Sequence, residues 1–233
     1  MSVLRLNYGL ARRVGDAIVC AMKPIILFPL TTIALLIAAP HLPAAEVEPG
    51  FTSLSDGKTF DGWKPAEKNK DTWRIEDGAF VTRGDTCHLF YVGDPKPFKD
   101  FDLKVDVMTE TNSNGGIYFH TKYQEEGWPR GGFECQVNNT HSDWIKTGSI
   151  YGIVNIAQSP AQDYKWWTQE IIVKGNSVTV LVDGKRVLQY DEPSGVQPGK
   201  DFQHKLGEGT FALQAHDPRS VVRYKNIRVK RLD

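Results

Sequence analysis

The stretch "WWTQEIIVKGNSVTVLVDGKRVLQY", residues 166–190, carries the pattern that decides the fold. Apolar and polar residues alternate with a period of two through three short runs, and this period is the signature of strands that bury one face. The runs are separated by Gly175-Asn176 and by Asp183-Gly184, dipeptides that are typical of two-residue turns between antiparallel strands. The stretch therefore predicts three consecutive antiparallel strands.

The same period recurs along most of the chain. Further alternating runs lie at residues 72–82, 101–109, 209–216 and 220–232. No run of helical period is long enough to predict a helix. Many short antiparallel strands in one domain are typical of an all-β sandwich or barrel, and the pattern alone does not separate these two.

The first 45 residues are predicted to be an export signal rather than part of the fold. An apolar, uncharged run at 25–39 follows a basic flank and precedes the small-residue stretch at 43–46, which is the order of a secretory signal. The run has 15 residues, short for a membrane span of roughly 20. We expect cleavage near Ala45 and a secreted or periplasmic protein with no stable membrane span; an uncleaved anchor is the alternative.

Two further expectations follow from this segment. Met22-Lys23 stands directly before the apolar run and would open a compact signal, so we predict that translation starts at Met22. The full chain has 28 basic and 28 acidic residues, and residues 1–45 contain four of the basic and one of the acidic residues. Without them, 24 basic and 27 acidic residues remain. No basic excess remains to bind nucleic acid, and residues 46–233 are long enough for one domain with a full core.

Two cysteines remain in this domain, Cys87 and Cys135. Cys135 alternates with Glu134 and so is expected to face the core, which favours buried free thiols. A disulfide between the two is the alternative, since an export compartment permits one. Two cysteines are too few for a thiolate zinc cluster.

Three of the predicted strands have an unusual polar face. Side chains two apart share a face, so residues 115–121, 133–138 and 209–216 set large apolar residues on one side. The polar residues on the other side are Tyr118, His120, Glu134, Gln136, Asn138, Gln214 and His216. An ordinary solvent-facing side of a sheet is the alternative. The polar side of the strand predicted at 101–109 is of that ordinary kind, with Lys and Asp. Hydroxyl-binding and titratable groups favour a ligand face.

The long loops at 123–131 and 139–148 add aromatic and charged residues, Trp128 and Lys146 among them. Loops of this kind commonly line a site. The chain has no glycine-rich phosphate loop, no His-Glu-x-x-His and no Gly-x-Ser-x-Gly sequence, so the common phosphate, zinc-protease and serine-hydrolase motifs are absent.

An ordered set of segments resembles the bacterial 3-keto-disaccharide hydrolase domain family over residues 50–232. The segments are "GFTSLSDGKTFDGWK" (50–64), "NSNGGIYFH" (112–120), "GGFECQVNN" (131–139), "TGSIYG" (147–152), "WWTQEIIVKGNSVTVLVDGK" (166–185), "GTFALQAHD" (209–217) and "VRYKNIRVKRL" (222–232). The resemblance implies a concanavalin-like jelly roll, a sandwich of two antiparallel sheets with a concave face that holds the ligand.

The resemblance also implies a substrate whose sugar carries a ketone at carbon three. The ketone acidifies the hydrogen on carbon two, so a base can remove it, the bond at carbon one breaks by elimination, and water then adds. Such a site needs a base, a stabiliser for the enolate oxygen and an acid for the leaving group. An oxidoreductase that forms the ketone is the functional partner this chemistry implies.

The expected site residues follow from placing this chemistry on the polar face. Glu134 or His120 is the base, and His216 is the acid or the enolate stabiliser. The expected substrate-binding residues are Tyr118, Gln136, Asn138, Lys146, Tyr151, Gln214 and Trp128. No cofactor is certain; a divalent cation held by His120, Glu134 and His216 is one way to stabilise the enolate.

The sequence departs at two points from the patterns of similar proteins, and both limit which catalytic roles the resemblance implies. His120 stands where many relatives have an arginine, so a titratable ring replaces a permanent charge. The chain lacks the closely spaced acidic triplet of laminarinases, so a retaining mechanism with two strand carboxylates is not supported. A non-catalytic carbohydrate-binding module of the same fold is the main alternative, and a structural domain of an exported complex is another.

Overall fold

The computed structural model describes residues 48–233, which form thirteen strands and one turn of 3-10 helix at Lys70–Thr72. The strands are β1 (Thr52–Ser53), β2 (Trp63–Pro65), β3 (Trp73–Glu76), β4 (Ala79–Thr82), β5 (Cys87–Tyr91), β6 (Phe101–Thr109), β7 (Asn114–Thr121), β8 (Phe133–Asn138), β9 (Trp167–Lys174), β10 (Ser177–Val182), β11 (Lys185–Asp191), β12 (Thr210–Ala215) and β13 (Val222–Arg231). The export signal, the start at Met22 and the cleavage near Ala45 lie outside the described residues.

The strands form two antiparallel sheets. The eight-stranded sheet has the order β11-β10-β9-β6-β13-β4-β3, with β1 added beside β13, and the five-stranded sheet has the order β2-β5-β12-β7-β8. The prediction of an all-β sandwich of two antiparallel sheets is confirmed. Within residues 48–233, no helix has the length and apolar character that crossing a bilayer requires.

The alternating pattern predicted the strands of the eight-stranded sheet closely. β6 buries every second residue along its whole length, from Phe101 to Thr109. The hairpin from β3 to β4 turns at Asp77-Gly78, both with positive φ, as a two-residue turn between twisted strands requires. The stretch at 166–190 forms three consecutive strands, β9 to β11, with turns at the two predicted positions.

The middle of the five-stranded sheet is buried on both faces. Every residue of β7 is buried, because one face packs on the core between the sheets while loops cover the other. Ile117, Phe119 and Cys135 lie in the core, and the polar residues between them lie under the loops. This face is therefore an enclosed polar surface rather than an open wet one.

Both cysteines of the described domain are buried free thiols. Cys135 lies on the core face of β8, as predicted, and accepts a hydrogen bond from Nε2 of Gln169 at 3.0 Å. Burial raises the pKa of Cys87 to about 11 and that of Cys135 to about 12. Both thiols are consequently protonated and unreactive at neutral pH.

Candidate active site

A cavity of about 290 Å³ lies on the loop-covered face of the five-stranded sheet. Its lining residues are Asn114, Tyr118, Trp128, Pro129, Gly131, Gly132, Phe133, Glu134, Gln136, Asp143, Tyr151, Gly152, Phe202, His204, Gln214 and His216. Strands β7, β8 and β12 supply the polar floor, and the loops supply most of the aromatic and glycine residues. The volume is near the lower end for a small-molecule site.

Glu134 is the carboxylate at the centre of this floor. It pairs with Tyr118 across β7 and β8, and the Tyr118 hydroxyl donates to its Oε2 at 2.8 Å. Nε2 of Gln214 donates to Oε1 at 2.8 Å and also to the Tyr118 hydroxyl oxygen at 3.0 Å. Hydrogen bonds from two strands therefore fix the carboxylate in one position.

Gly116 makes room for that carboxylate. It lies opposite Gln136 in the register of β7 and β8, and its missing side chain leaves a gap in the sheet face. A Cβ at this position would lie 2.3 Å from Oε1 of Glu134. The glycine is thus required by a close approach of side chain to backbone.

The surroundings of Glu134 raise its pKa to about 7. Burial is the largest cause, because it disfavours the charged form. The hydrogen bonds from Tyr118 and Gln214 oppose this, and the negative charge of Asp143 adds to it. A carboxyl group with a pKa near neutrality is suited to accept or donate a proton in the physiological range.

His216 lies directly after β12, at another part of the cavity wall. Its Nδ1 lies 2.9 Å from Oδ2 of Asp217, an arrangement that fixes the ring and leaves Nε2 for other contacts. The Ser220 hydroxyl donates to the same carboxylate oxygen at 2.7 Å. Burial opposes ionisation of Asp217, but bonds from Ser220, His216 and the N–H of Arg219 outweigh it and lower its pKa to about 2.

Trp128 packs against two imidazoles. Its ring centroid lies 5.4 Å from that of His216 and 5.3 Å from that of His88, where the contact is edge-on. His88 is buried beneath it, and its Nε2 has no hydrogen-bond partner. Burial and the charge of His216 lower the pKa of His88 to about 3, so this ring is neutral.

His120 does not join the site, so the alternation prediction fails at this residue. Its φ is +56°, and the pairing of β12 with β7 shifts register between Thr210 and Ala212. Nε2 of His120 bonds to the carbonyl oxygen of Lys99 at 2.8 Å, while the N–H of Gly207 donates to Nδ1 at 3.2 Å. These two hydrogen bonds hold the ring against the backbone, outside the cavity lining. His120 is therefore not placed to act as the base, and His120, Glu134 and His216 do not come together as the predicted cation ligands.

Asn138 and Lys146 also lie outside the cavity lining. Nδ2 of Asn138 donates to the carbonyl oxygens of Asp143 and Ile145, at 2.9 and 2.8 Å. The Lys146 ammonium donates to the carbonyl oxygens of His141 and Asp143, at 2.6 and 2.7 Å. Both side chains hold the loop after β8 in place, which differs from the predicted role of binding hydroxyls.

The other predicted binding residues do line the cavity: Tyr118, Trp128, Gln136, Tyr151 and Gln214. Tyr151 donates from its hydroxyl to Oδ2 of Asp143 at 3.1 Å. Sequence reasoning did not assign roles to Asn114, Phe202 or His204. Phe202 and His204 lie in a loop, where neither period nor motif marks them, whereas Asn114 lies two positions before Gly116 on the same strand face and was open to prediction.

An aromatic wall bounds the part of the cavity near Phe133. The His204 ring is almost parallel to the rings of Phe133 and Phe202, at interplanar angles of 8° and 16°. Within the described lining, no lysine or arginine appears. The cavity therefore combines an acidic, hydrogen-bonding floor with an apolar wall, which suits an uncharged, polyhydroxylated ligand.

The fold and this site together define a β-sandwich protein with a titratable carboxyl group in a polar cavity on one sheet. The sequence matches the 3-keto-alpha-glucoside-1,2-lyase-like domain family over residues 50–230, and the chain belongs to that family.

Several known proteins are similar to this chain in sequence or in fold. A 3-keto-disaccharide hydrolase of Bacteroides thetaiotaomicron is 24% identical, over 79% of this chain and 79% of its own. The crystal structure of a candidate glycosyl hydrolase from Parabacteroides distasonis has a TM-score of 0.66 at 24% identity, covering 79% of this chain and 94% of the other. A β-1,3-1,4-glucanase from a mouse hindgut metagenome has a TM-score of 0.51 at 10% identity, with 78% and 99% covered, and it shares the jelly-roll fold.

Proposed function

We propose that the protein is an exported enzyme that cleaves glycosides oxidised to a ketone at carbon three. The observation that carries the proposal is the carboxyl group of Glu134, held by Tyr118 and Gln214 at the floor of a sugar-sized cavity, with a pKa near 7. The family and the relative named above support the substrate class.

The proposed reaction starts with proton transfer to Glu134. The carboxylate takes the hydrogen from carbon two of the substrate, and the C–H electrons form an enolate whose charge rests on the ketone oxygen. When the enolate collapses, the bond between carbon one and the leaving oxygen breaks, and that oxygen takes up a proton. Addition of water across the double bond, with its proton to carbon two and its hydroxyl to carbon one, completes hydrolysis.

His216 is the second proposed catalytic group, the acid or the enolate stabiliser. An imidazole oriented by a carboxylate supplies positive charge for the enolate oxygen or a proton for the leaving group. Tyr118 and Gln214 keep the Glu134 carboxylate aimed, and Gln136, Tyr151 and Trp128 contact the sugar. Because the reaction needs the ketone, an oxidoreductase that acts on the glycoside must precede this enzyme.

A carbohydrate-binding module of the same fold is the alternative function. Simple sugar binding uses amides and aromatic rings, which the cavity also has. It does not need a carboxyl group whose pKa is raised to about 7 by burial. That environment disfavours the charged form of Glu134 and is therefore better explained by proton transfer than by binding.

Incubation with 3-keto-trehalose and a 3-keto-glucoside tests the proposal. We expect release of 3-keto-glucose by the native protein and no cleavage of the unoxidised glycosides. Glu134→Gln and His216→Ala are each expected to lower turnover by about 100-fold or more, whereas the exposed Glu126→Gln control should not change it. Binding of the keto sugar without turnover would support the module, and native rates in both site variants would refute the assignment.

A further inference from the structure

Two histidines and an aspartate meet at the edge of the cavity. His141 lies in the loop after β8, and His216 and Asp217 follow β12. One potential ligand atom from each of the three lies within 4.8 Å of the others. The two imidazole centroids are 5.6 Å apart, so two loops from different strands bring three potential metal-ligating groups together.

The surrounding contacts hold the two rings and the carboxylate in place. The N–H of Asp143 donates to Nδ1 of His141 at 3.1 Å, so a cation bound at that nitrogen would replace this hydrogen bond. Asp217 accepts from Ser220, His216 and the N–H of Arg219, and a carboxylate has about four acceptor positions. One acceptor position is therefore open. The Arg219 side chain lies 4.0 Å away and is 82% exposed, so it competes weakly.

Asn114 gives a second, independent indication of a ligand. Its side chain is 2% exposed, its Oδ1 has no hydrogen-bond partner, and its Nδ2 lies 3.5 Å from Nδ1 of His141. Its backbone N–H donates to Oγ of Ser220 at 2.9 Å, which ties it to the residue that holds Asp217. A buried amide oxygen without a partner is costly, and here it belongs to an amide group whose nitrogen lies beside His141.

We propose that His141, His216 and Asp217, with the amide of Asn114 beside them, bind a divalent transition-metal ion. Two imidazoles and one carboxylate favour zinc, manganese, cobalt or nickel over calcium and magnesium, which take oxygen ligands. This inference deepens the proposed function and rests on it for its catalytic meaning. Since His216 also lines the cavity, a cation held there would take over from the His216 ring the stabilisation of the oxygen that becomes negative in the proposed reaction.

Titration with Co²⁺ tests the site in the absence of any sugar. The protein is prepared without a histidine tag and treated with a chelator, and binding is followed by calorimetry and by visible absorption of the bound ion. We expect one ion per chain. His141→Ala should weaken binding by about tenfold or more, as loss of a ligand does, whereas His204→Ala, a cavity imidazole outside the set, should stay within twofold.

Two further variants keep the test independent of folding and of the proposed reaction. Asp217→Asn retains the size of the side chain and should also weaken Co²⁺ binding, while circular dichroism checks that each variant is folded. Glu134→Gln should bind Co²⁺ as the native protein does even if turnover is lost. The absence of Co²⁺ and Zn²⁺ binding at millimolar concentration, or equal affinity in every folded variant, would overturn the proposal whatever the activity is.

Discussion

Replacing Gly116 by alanine should displace the Glu134 carboxylate without removing any functional group. The added Cβ would lie 2.3 Å from Oε1 and 3.0 Å from Cγ and Cδ of Glu134, where ordinary contact begins at 3.4 Å. Gly116 does not have a positive φ, so the backbone itself accepts alanine. The side chain must therefore retreat by about 1 Å, a distance at which positioning losses reach about 100-fold in rate.

The retreat also breaks the hydrogen bonds that hold the carboxylate. Tyr118 and Gln214 each donate to it at 2.8 Å, and a bond to a charged group contributes about 1.5–3 kcal/mol. We expect kcat on a 3-keto-glucoside to fall about 100-fold while KM changes much less, measured by the release of 3-keto-glucose.

Gly115 provides the matched control, because it is adjacent in sequence and faces the core. A Cβ there would lie 2.6 Å from the Tyr224 hydroxyl and 3.1 Å from Cγ2 of Val222, and no atom of the Glu134 side chain is among its three nearest neighbours. Gly115→Ala should lower the free energy of unfolding by about 1–3 kcal/mol, the usual range for overpacking, and leave kcat of the folded fraction near native. If Gly116→Ala keeps native kcat while Glu134→Gln is inactive, the fixed position of the carboxylate is not what catalysis needs.

Two other predictions concern stability and export. The pKa of Glu134 is raised from 4.5 to about 7 in the folded protein, so folding favours the protonated carboxyl group. The stability that this group contributes is lost as the pH rises through 7. Glu134→Gln should therefore raise the free energy of unfolding at pH 8 by up to about 3 kcal/mol. Urea unfolding should show the gain vanishing below pH 4.5, and a gain that persists there would contradict the cause given. Sequencing the N-terminus of protein from a periplasmic extract should find a start close to Glu46, whereas a start at Met1 or Met22 would contradict cleavage near Ala45.

The sequence predicted the strands well because each of them buries one face of a regular period. In β6, every second residue from Phe101 to Thr109 is buried. Where the buried contacts follow the alternation of the strand in this way, the local sequence pattern is enough to predict the strand. The turn at Asp77-Gly78 is equally local, since its two positive φ angles depend on those residue types.

Alternation failed where tertiary contacts interrupt the pleat. At the end of β7, His120 takes a φ of +56°, and Gly209 and Gly132 approach its backbone so closely that a Cβ on either would clash. Nothing in the sequence around His120 marks this change. His141, Asp217 and Ser220 were missed for a related reason, because they lie in loops whose conformation depends on contacts distant in sequence.

The polar residues on the loop-covered face fall into two groups according to their hydrogen-bond partners. Asn138 donates only to loop carbonyls, as a buried amide must when loops cover a sheet, so its polarity serves the fold. Tyr118 and Gln214 instead donate to a carboxylate that burial makes costly to ionise, and the proposed proton transfer accounts for a carboxyl group there. Gly116 leaves the space that this carboxyl fills. The same strand face thus contains structural and candidate catalytic polar residues, and the identity of their hydrogen-bond partners distinguishes them.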